Sequence, residues 1–250
     1  MIKSNKKSSS GKTTEERLAQ LEAALEKANL EIARAQAAVE IQSVMGRYVF
    51  YYTAQRYDLI KNLWSKKDDA CRDVSTNPVL VNTPSGPRAT GRQEQTAGLF
   101  HIHALSTPVV AVAADGQTAR ATWISPGVTT EVIDGKASAR WCWIKYGSDF
   151  IKEDGEWKFW HLTSYGLFHT DYYTSWADIE PKPLKRPAPT CGTVPQGQQA
   201  PPQSQIDSSK LIDRNDWTYA KDRLPELDPF PPVDYKTFQD VYPGYRTYRD

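Results

Sequence analysis

The chain has 250 residues, 31 basic and 30 acidic side chains, and 11% aromatic residues. That balance gives no basic surplus for a nucleic acid or other polyanion, and no apolar run approaches the ~18 residues a membrane span needs. Of 17 prolines, five precede residue 180 and twelve fall in the last seventy residues, so a folded front and a differently built tail share one averaged composition.

Residues 1–12 are rich in Lys, Ser and Gly with no apolar stretch, which predicts a disordered lead-in and no secretory signal. Thr13 and Glu16 have the spacing of a capping box, which places a helix start there. Leu18, Leu21, Leu25, Ala28, Ile32, Ala35 and Val39 then follow a heptad, with Glu22, Glu26 and Arg34 on flanking faces. Such a stripe packs on its own domain or on a partner helix. The helical pattern continues through Tyr48 to Tyr52, and a second helix is expected from Tyr57 to Trp64. Val79–Val81 reads as a short strand, residues 84–87 as a turn, and residues 92–105 as helical.

Beyond Ser106 a strand meander is predicted over residues 107–113, 117–125, 128–133, 137–152 and 156–165. Asp115-Gly116, Asp134-Gly135 and Asp154-Gly155 punctuate it as hairpin turns, since Asp and Gly tolerate the positive φ of a type I′ turn. Together these elements predict an α+β class: a curved antiparallel sheet preceded by helices. Residues 181–202 hold seven prolines in 22 residues, too little apolar area to order alone. Eight aromatics between Trp217 and Tyr248 nevertheless predict an extended arm that docks on its own domain or a neighbour. The domain layout is thus a lead-in (1–12), a heptad helix (13–37), an α+β domain (38–175) and a linker with its arm (176–250).

Cys71, Cys142 and Cys191 are odd in number and unpaired in spacing, which predicts neither a disulfide framework nor a zinc site, and a cytoplasmic, reducing setting. Histidine suits proton transfer near neutrality, which singles out His101 and His103. They share a face if extended and diverge if helical. On residues 140–146, alternation sets Arg140, Cys142, Ile144 and Tyr146 on one face and Trp141, Trp143 and Lys145 on the other. A buried Arg140 needs an anion, either a substrate or a structural acid. Tyr48, Tyr51 and Tyr52 cluster on the first helix, where aromatic bodies with polar tips suit an aromatic ligand. No HExxH, phosphate loop or GxSxG is present, which favours proton chemistry without a metal or cofactor.

Four segments carry a family resemblance. Residues 47–64 resemble the opening helices of SnoaL-like members of the nuclear-transport-factor-2-like superfamily, with Tyr57-Asp58 and Leu63-Trp64 at that pattern's Trp-Asp and Leu-Phe places. His101 to Val110 resembles the family's entry to the long strands, Asp115 to Arg120 its Asp-Gly hairpin, and Tyr146 to His161 its ending. The resemblance spans roughly residues 38–170 and implies a cone: a bent sheet wrapped around helices over a deep apolar pocket. It includes scytalone dehydratase, ketosteroid isomerase, polyketide cyclases and dioxygenase small subunits.

The first helix most resembles that of scytalone dehydratase, with Tyr52 at its Tyr place and Thr53 where it has an Asp. His103 or His101 matches its first histidine, while Gly127-Val128 stands near the second. Tyr146 is directed to the cavity by the same analogy. The expectation is a cofactor-independent lyase for a small phenolic molecule, a dehydratase or a C–C lyase releasing a small aldehyde. The alternatives are an isomerase or cyclase, or a non-catalytic binding and assembly module. His103, Tyr52, Tyr146, Arg140 and His101 are the catalytic candidates. Tyr48, Tyr51, Trp123, Ile144 and His161 are the substrate-binding ones. A homo-oligomer, dimer or trimer, is expected through the first helix, the sheet and the arm.

Overall fold

The computed structural model describes residues 12–74, 77–80, 95–180, 218–222, 224, 229 and 231–238. Helix α1 runs Thr14–Thr53 and opens on the expected capping box: Glu16 N donates to Thr13 Oγ1 at 3.2 Å, and Thr13 N to Glu16 Oε2 at 2.8 Å. Its second half buries Ala37, Ile41, Val44, Met45 and Tyr48, a stripe at helical spacing. Its first half is exposed on every side. The helix ends where Gln55 takes a left-handed φ of 55°. A non-glycine residue there is strained, but the Gln55 amide is held twice by Thr96, receiving its N–H at 2.6 Å and donating to its carbonyl at 3.1 Å, and donates to the Leu99 carbonyl at 3.0 Å. α2 (Tyr57–Ile60) and a 3-10 turn (Lys61–Leu63) follow.

Eight strands form one sheet: β1 (Cys71–Val74), β2 (Asn77–Leu80), β3 (Phe100–His103), β4 (Ser106–Val112), β5 (Thr118–Ser125), β6 (Gly127–Ile133), β7 (Lys136–Glu153) and β8 (Glu156–Asp171). The order is β2-β1-β8-β7-β5-β4, and β3 pairs with β6, which joins β7. The long β7 carries β6 on its first half (Val128↔Trp141) and β5 on its second (Ser125↔Ile144). Two sheet halves therefore diverge from one strand and curve around α1. Tyr48 meets Phe159 at 5.5 Å between ring centres, and Phe150, Phe159, Ile41, Met45 and Ile60 are fully buried.

The meander follows the expected strands, with β8 continuing to Asp171. Asp134-Gly135 and Asp154-Gly155 both have paired positive φ, as a type I′ turn requires. At the first turn only Gly116 does, and Asp115 instead accepts from Gln117 N at 2.9 Å, so that connection is a longer loop. Residues 95–103 correct the helical expectation for 92–105: Phe100–His103 is a strand, because pairing with β6 outweighs local helix preference. Thr107 (φ 48°) marks a bulge in β4 beside Pro108. Val81 and the turn at 84–87 lie outside the described residues.

Cys142 is free and buried, whereas Cys71 is disulfide-bonded, which corrects the reading of the cysteines as unpaired. The Trp-bearing face of β7 is covered by the chain after β8. Trp141 stacks on Tyr172 at 5.9 Å and Trp143 on Phe168 at 5.5 Å. Farther on, Thr218 N and Tyr219 N donate to the Gly166 and Leu167 carbonyls, and Tyr235 is buried with its hydroxyl 3.2 Å from Thr118 Oγ1. The linker at 181–202 and Trp217, Phe230, Tyr242, Tyr245 and Tyr248 lie outside the described residues. Among those described, no helix is long and apolar enough to cross a membrane.

Gln55 ties the end of α1 to the segment entering β3. Gln55→Ala keeps the backbone strain and deletes the amide bonds, so it should lower stability by about 1–3 kcal/mol, read as a lower midpoint in denaturant unfolding with an unchanged slope.

Candidate active site

The site forms where α1, β1, β3 and β7 meet. Tyr48 and Tyr52, one helical turn apart, stack at 5.9 Å. Tyr52 also meets Tyr57 at 6.1 Å and His101 at 5.7 Å. Tyr146, from β7, stands edge-on to Tyr48 at 6.5 Å and to His103 at 6.4 Å. Arg72, from β1, lays its guanidinium over the Tyr52 ring at 5.6 Å and hydrogen-bonds the Tyr52 side chain. Tyr48, Tyr146, Arg72 and His101 are buried, and Tyr51, Tyr52 and His103 are half-buried.

His101 and His103 face the same way because β3 is extended, settling the two geometries left open by the sequence. The row through His103 crosses Gly127, Cys142 and His169; the row through His101 crosses Thr129, Arg140 and Asp171. Gly127 makes room for the imidazole: a Cβ there would lie 2.6 Å from His103 Nδ1, 2.6 Å from the Ile102 carbonyl and 2.8 Å from the Cys142 carbonyl. His103 Nδ1 is buried and has no hydrogen-bond partner among the described residues.

Electrostatics divides the cluster into a fixed cation and neutral proton carriers. Burial lowers the pKa of His103 to about 4, helped by the positive charges of His101, Arg72 and His169, so its imidazole is neutral near pH 7. Burial works against the Arg72 charge, but Tyr48, Tyr52 and Tyr146 around it more than compensate and hold its pKa up. Burial pushes Tyr48 to about 12 despite Arg72 beside it, and lifts Tyr146 well above the usual phenol value. The cluster can hold an anion at Arg72 and offer a neutral base a few ångströms away.

Five of the ten candidates, Tyr48, Tyr52, Tyr146, His101 and His103, come together here. Tyr51 packs at the edge of the core, Ile144 is buried one alternation from Tyr146, and Trp123 packs on Phe150 at 6.3 Å. Arg140 is half-exposed and paired with Glu131 at 3.3 Å, so its partner is a structural acid. His161 lies apart, on the outer face: its Nδ1 is 2.8 Å from Asp149 Oδ2, whose other oxygen is 3.1 Å from Arg120 Nε. Phe238 covers this triad, 5.2 Å from the Arg120 guanidinium. A register shift at Asp149/Phe150 inserts Trp160 as an extra residue and turns His161 away from the face of Trp157 and Phe159. Arg72 escaped notice in the sequence because β1 is only four residues long and its place is set by parallel pairing with β8 (Arg72↔Leu162). Its one available signal was an arginine entering a short strand directly after a cysteine.

The depressed His103 pKa has a stability consequence. The unfolded chain takes up this proton near pH 6.5 and the folded chain only near pH 4. Folded stability therefore falls as pH drops through that window, by up to on the order of 3 kcal/mol from this group. His103→Asn should lose less stability than the parent between pH 6.5 and 4, as followed by thermal unfolding at stepped pH.

The model of the SnoaL-like domain family matches residues 33–163, just over half of the chain. No curated protein matches it. Among solved structures, a putative scytalone dehydratase from Novosphingobium aromaticivorans is 13% identical with a TM-score of 0.43, covering 58% of this chain and 93% of that one. A putative aromatic ring hydroxylase from the same species is 17% identical with a TM-score of 0.43, covering 55% and 94%. A type-3 LinA hexachlorocyclohexane dehydrochlorinase from Novosphingobium barchaimii is 15% identical with a TM-score of 0.43, covering 61% and 99%. By the match over residues 33–163, the chain belongs to the SnoaL-like domain family.

Proposed function

We propose that this chain is a lyase that uses proton transfer alone on a small phenolic molecule, dehydrating it or cleaving a C–C bond with release of a small aldehyde. The observation that carries the reading is the Arg72 cation and the neutral His103 imidazole within one cluster of tyrosines. Family membership supports it.

Arg72 and the Tyr52 hydroxyl receive the phenolate oxygen of the substrate. The phenolate electron pair moves through the ring and expels hydroxide from the para-benzylic carbon. The proton lost by the phenol leaves with that hydroxide as water, and the substrate becomes a quinone methide. His103 then removes one proton. Taken from the neighbouring carbon, it completes a dehydration: the C–H pair forms the new C=C bond and the ring returns to phenolate. Taken from a neighbouring hydroxymethyl group, the O–H pair becomes the aldehyde C=O, the C–C pair flows back into the ring and the aldehyde departs. The imidazolium is a strong acid in this desolvated place and returns its proton readily. Tyr146, kept protonated by burial, orients the base. The aromatic C-terminal residues act as a strap on the sheet's outer face, a role that the Tyr235 and Phe238 contacts support.

A para-hydroxyphenyl carbinol with a hydroxymethyl group on the next carbon tests this reading, with water loss followed by absorbance and aldehyde by trapping. Turnover should vanish for the phenol methyl ether, and His103→Gln and Arg72→Gln should each cut kcat/KM by about 10²–10⁴. Equal turnover of the ether, or full activity in a folded His103→Gln chain, overturns it.

A further inference from the structure

We infer that the free half of α1 is an interface with a second copy of this chain, as a parallel, in-register, two-stranded coiled coil. The helix has two apolar faces. One packs on the cone through Ala37, Ile41, Val44, Met45 and Tyr48, and Leu30 approaches the turn at Gly116, where a Cβ would lie 3.8 Å from Leu30 Cδ1. The other is the heptad seam Leu18, Leu21, Leu25, Ala28, Ile32, Ala35 and Val39. Leu18, Leu21, Leu25, Ile32 and Val39 are 56%, 68%, 61%, 55% and 63% exposed. At 100° per residue the two faces point about 160° apart, so the seam cannot be reached by the cone it belongs to.

Period and charge identify the occupant. A 3.5-residue repeat matches only another helix with the same repeat, and this chain supplies one. With Leu18 at position a, Arg17 is at g and Glu22 at e. A parallel, in-register pair sets Arg17 of each helix against Glu22 of the other, giving two opposite-charge contacts. The next flanking pairs, Ala24 with Asn29 and Glu31 with Gln36, carry no like charges. Antiparallel alignment about the centre of the seam sets Arg17 against Ala38 and Glu22 against Gln36, with no charge pair. Ile32 and Val39 at a favour two strands.

Geometry agrees with the pairing. Each cone sits on the far side of its own helix, so two helices meeting along their seams carry the cones on opposite flanks. The seam ends after Val39, where Gln42 and Gly46 take the next d and a positions. Three heptads are marginal in isolation, but the cone already orders the second half of the helix, which lowers the entropy lost on pairing.

Cysteine pairing in the full chain is the direct test, because it reads the helix whatever the cones do. Ala28→Cys, at d, should give a covalent dimer under mild oxidation, while Ala23→Cys, on the outer face, and the parent should not. Leu21→Asp with Leu25→Asp should abolish that cross-link in a chain whose circular dichroism is otherwise kept. Arg17→Glu should weaken the pair about tenfold, and adding Glu22→Arg should restore it. Absence of the Ala28→Cys dimer, equal dimer at both positions, or no rescue by the charge swap overturns the inference. The last two results are those expected if the chain's own terminal residues, or an antiparallel neighbour, cover the seam.

Discussion

Burial of one helical stripe against a sheet that must bend to reach it organises this molecule. Ala37, Ile41, Val44, Met45 and Tyr48 present a narrow apolar ridge. A flat sheet would touch that ridge along one line only. Dividing β7 between two sheet halves lets strands from both sides close on the helix. Full burial of a large apolar side chain contributes about 1.5–3 kcal/mol relative to exposure, so this ridge supplies much of the drive for curvature. The same curvature brings Tyr146 from β7, the histidines from β3 and Arg72 from β1 to the end of the ridge, where Tyr48 and Tyr52 stand.

A buried guanidinium is costly unless its surroundings are polarised to receive it. Here the surroundings are phenols, which offer ring faces and hydroxyl oxygens while remaining neutral. The arrangement keeps a positive charge in place and leaves the neighbouring imidazole without a proton. A carboxylate in the same position would neutralise the arginine and raise the histidine pKa instead. Thr53, at the place where the related dehydratase has an acid, is consistent with a site arranged around a cation.

Local rules carried the sequence reading where short-range chemistry decides the outcome. Thr13 and Glu16 cap the helix as their spacing demands, and the last two Asp-Gly pairs make their hairpin turns. The reading failed where partners distant in the chain decide. Phe100–His103 is too short to declare itself a strand without β6, and Arg72 acquires its position from a parallel neighbour ninety residues away (Leu162). His161 shows the limit of alternation: counting by twos from Trp157 and Phe159 points it inward, and one extra residue at Trp160 reverses it.

The irregular edge at β4 bears on how copies of this chain meet. Its bulge at Thr107 breaks the ladder, and Pro108 has no N–H to offer. Farther along, the Val112 carbonyl accepts from Arg34 at 3.0 Å, and Ala114 N and Asp115 N donate to the Tyr235 and Lys236 carbonyls. An incoming strand finds neither a straight template nor free groups at these positions, so open-ended growth of the sheet is blocked along this margin. Contact between chains is thereby left to surfaces that close on themselves, and a finite assembly follows from a side of the sheet that takes no part in it.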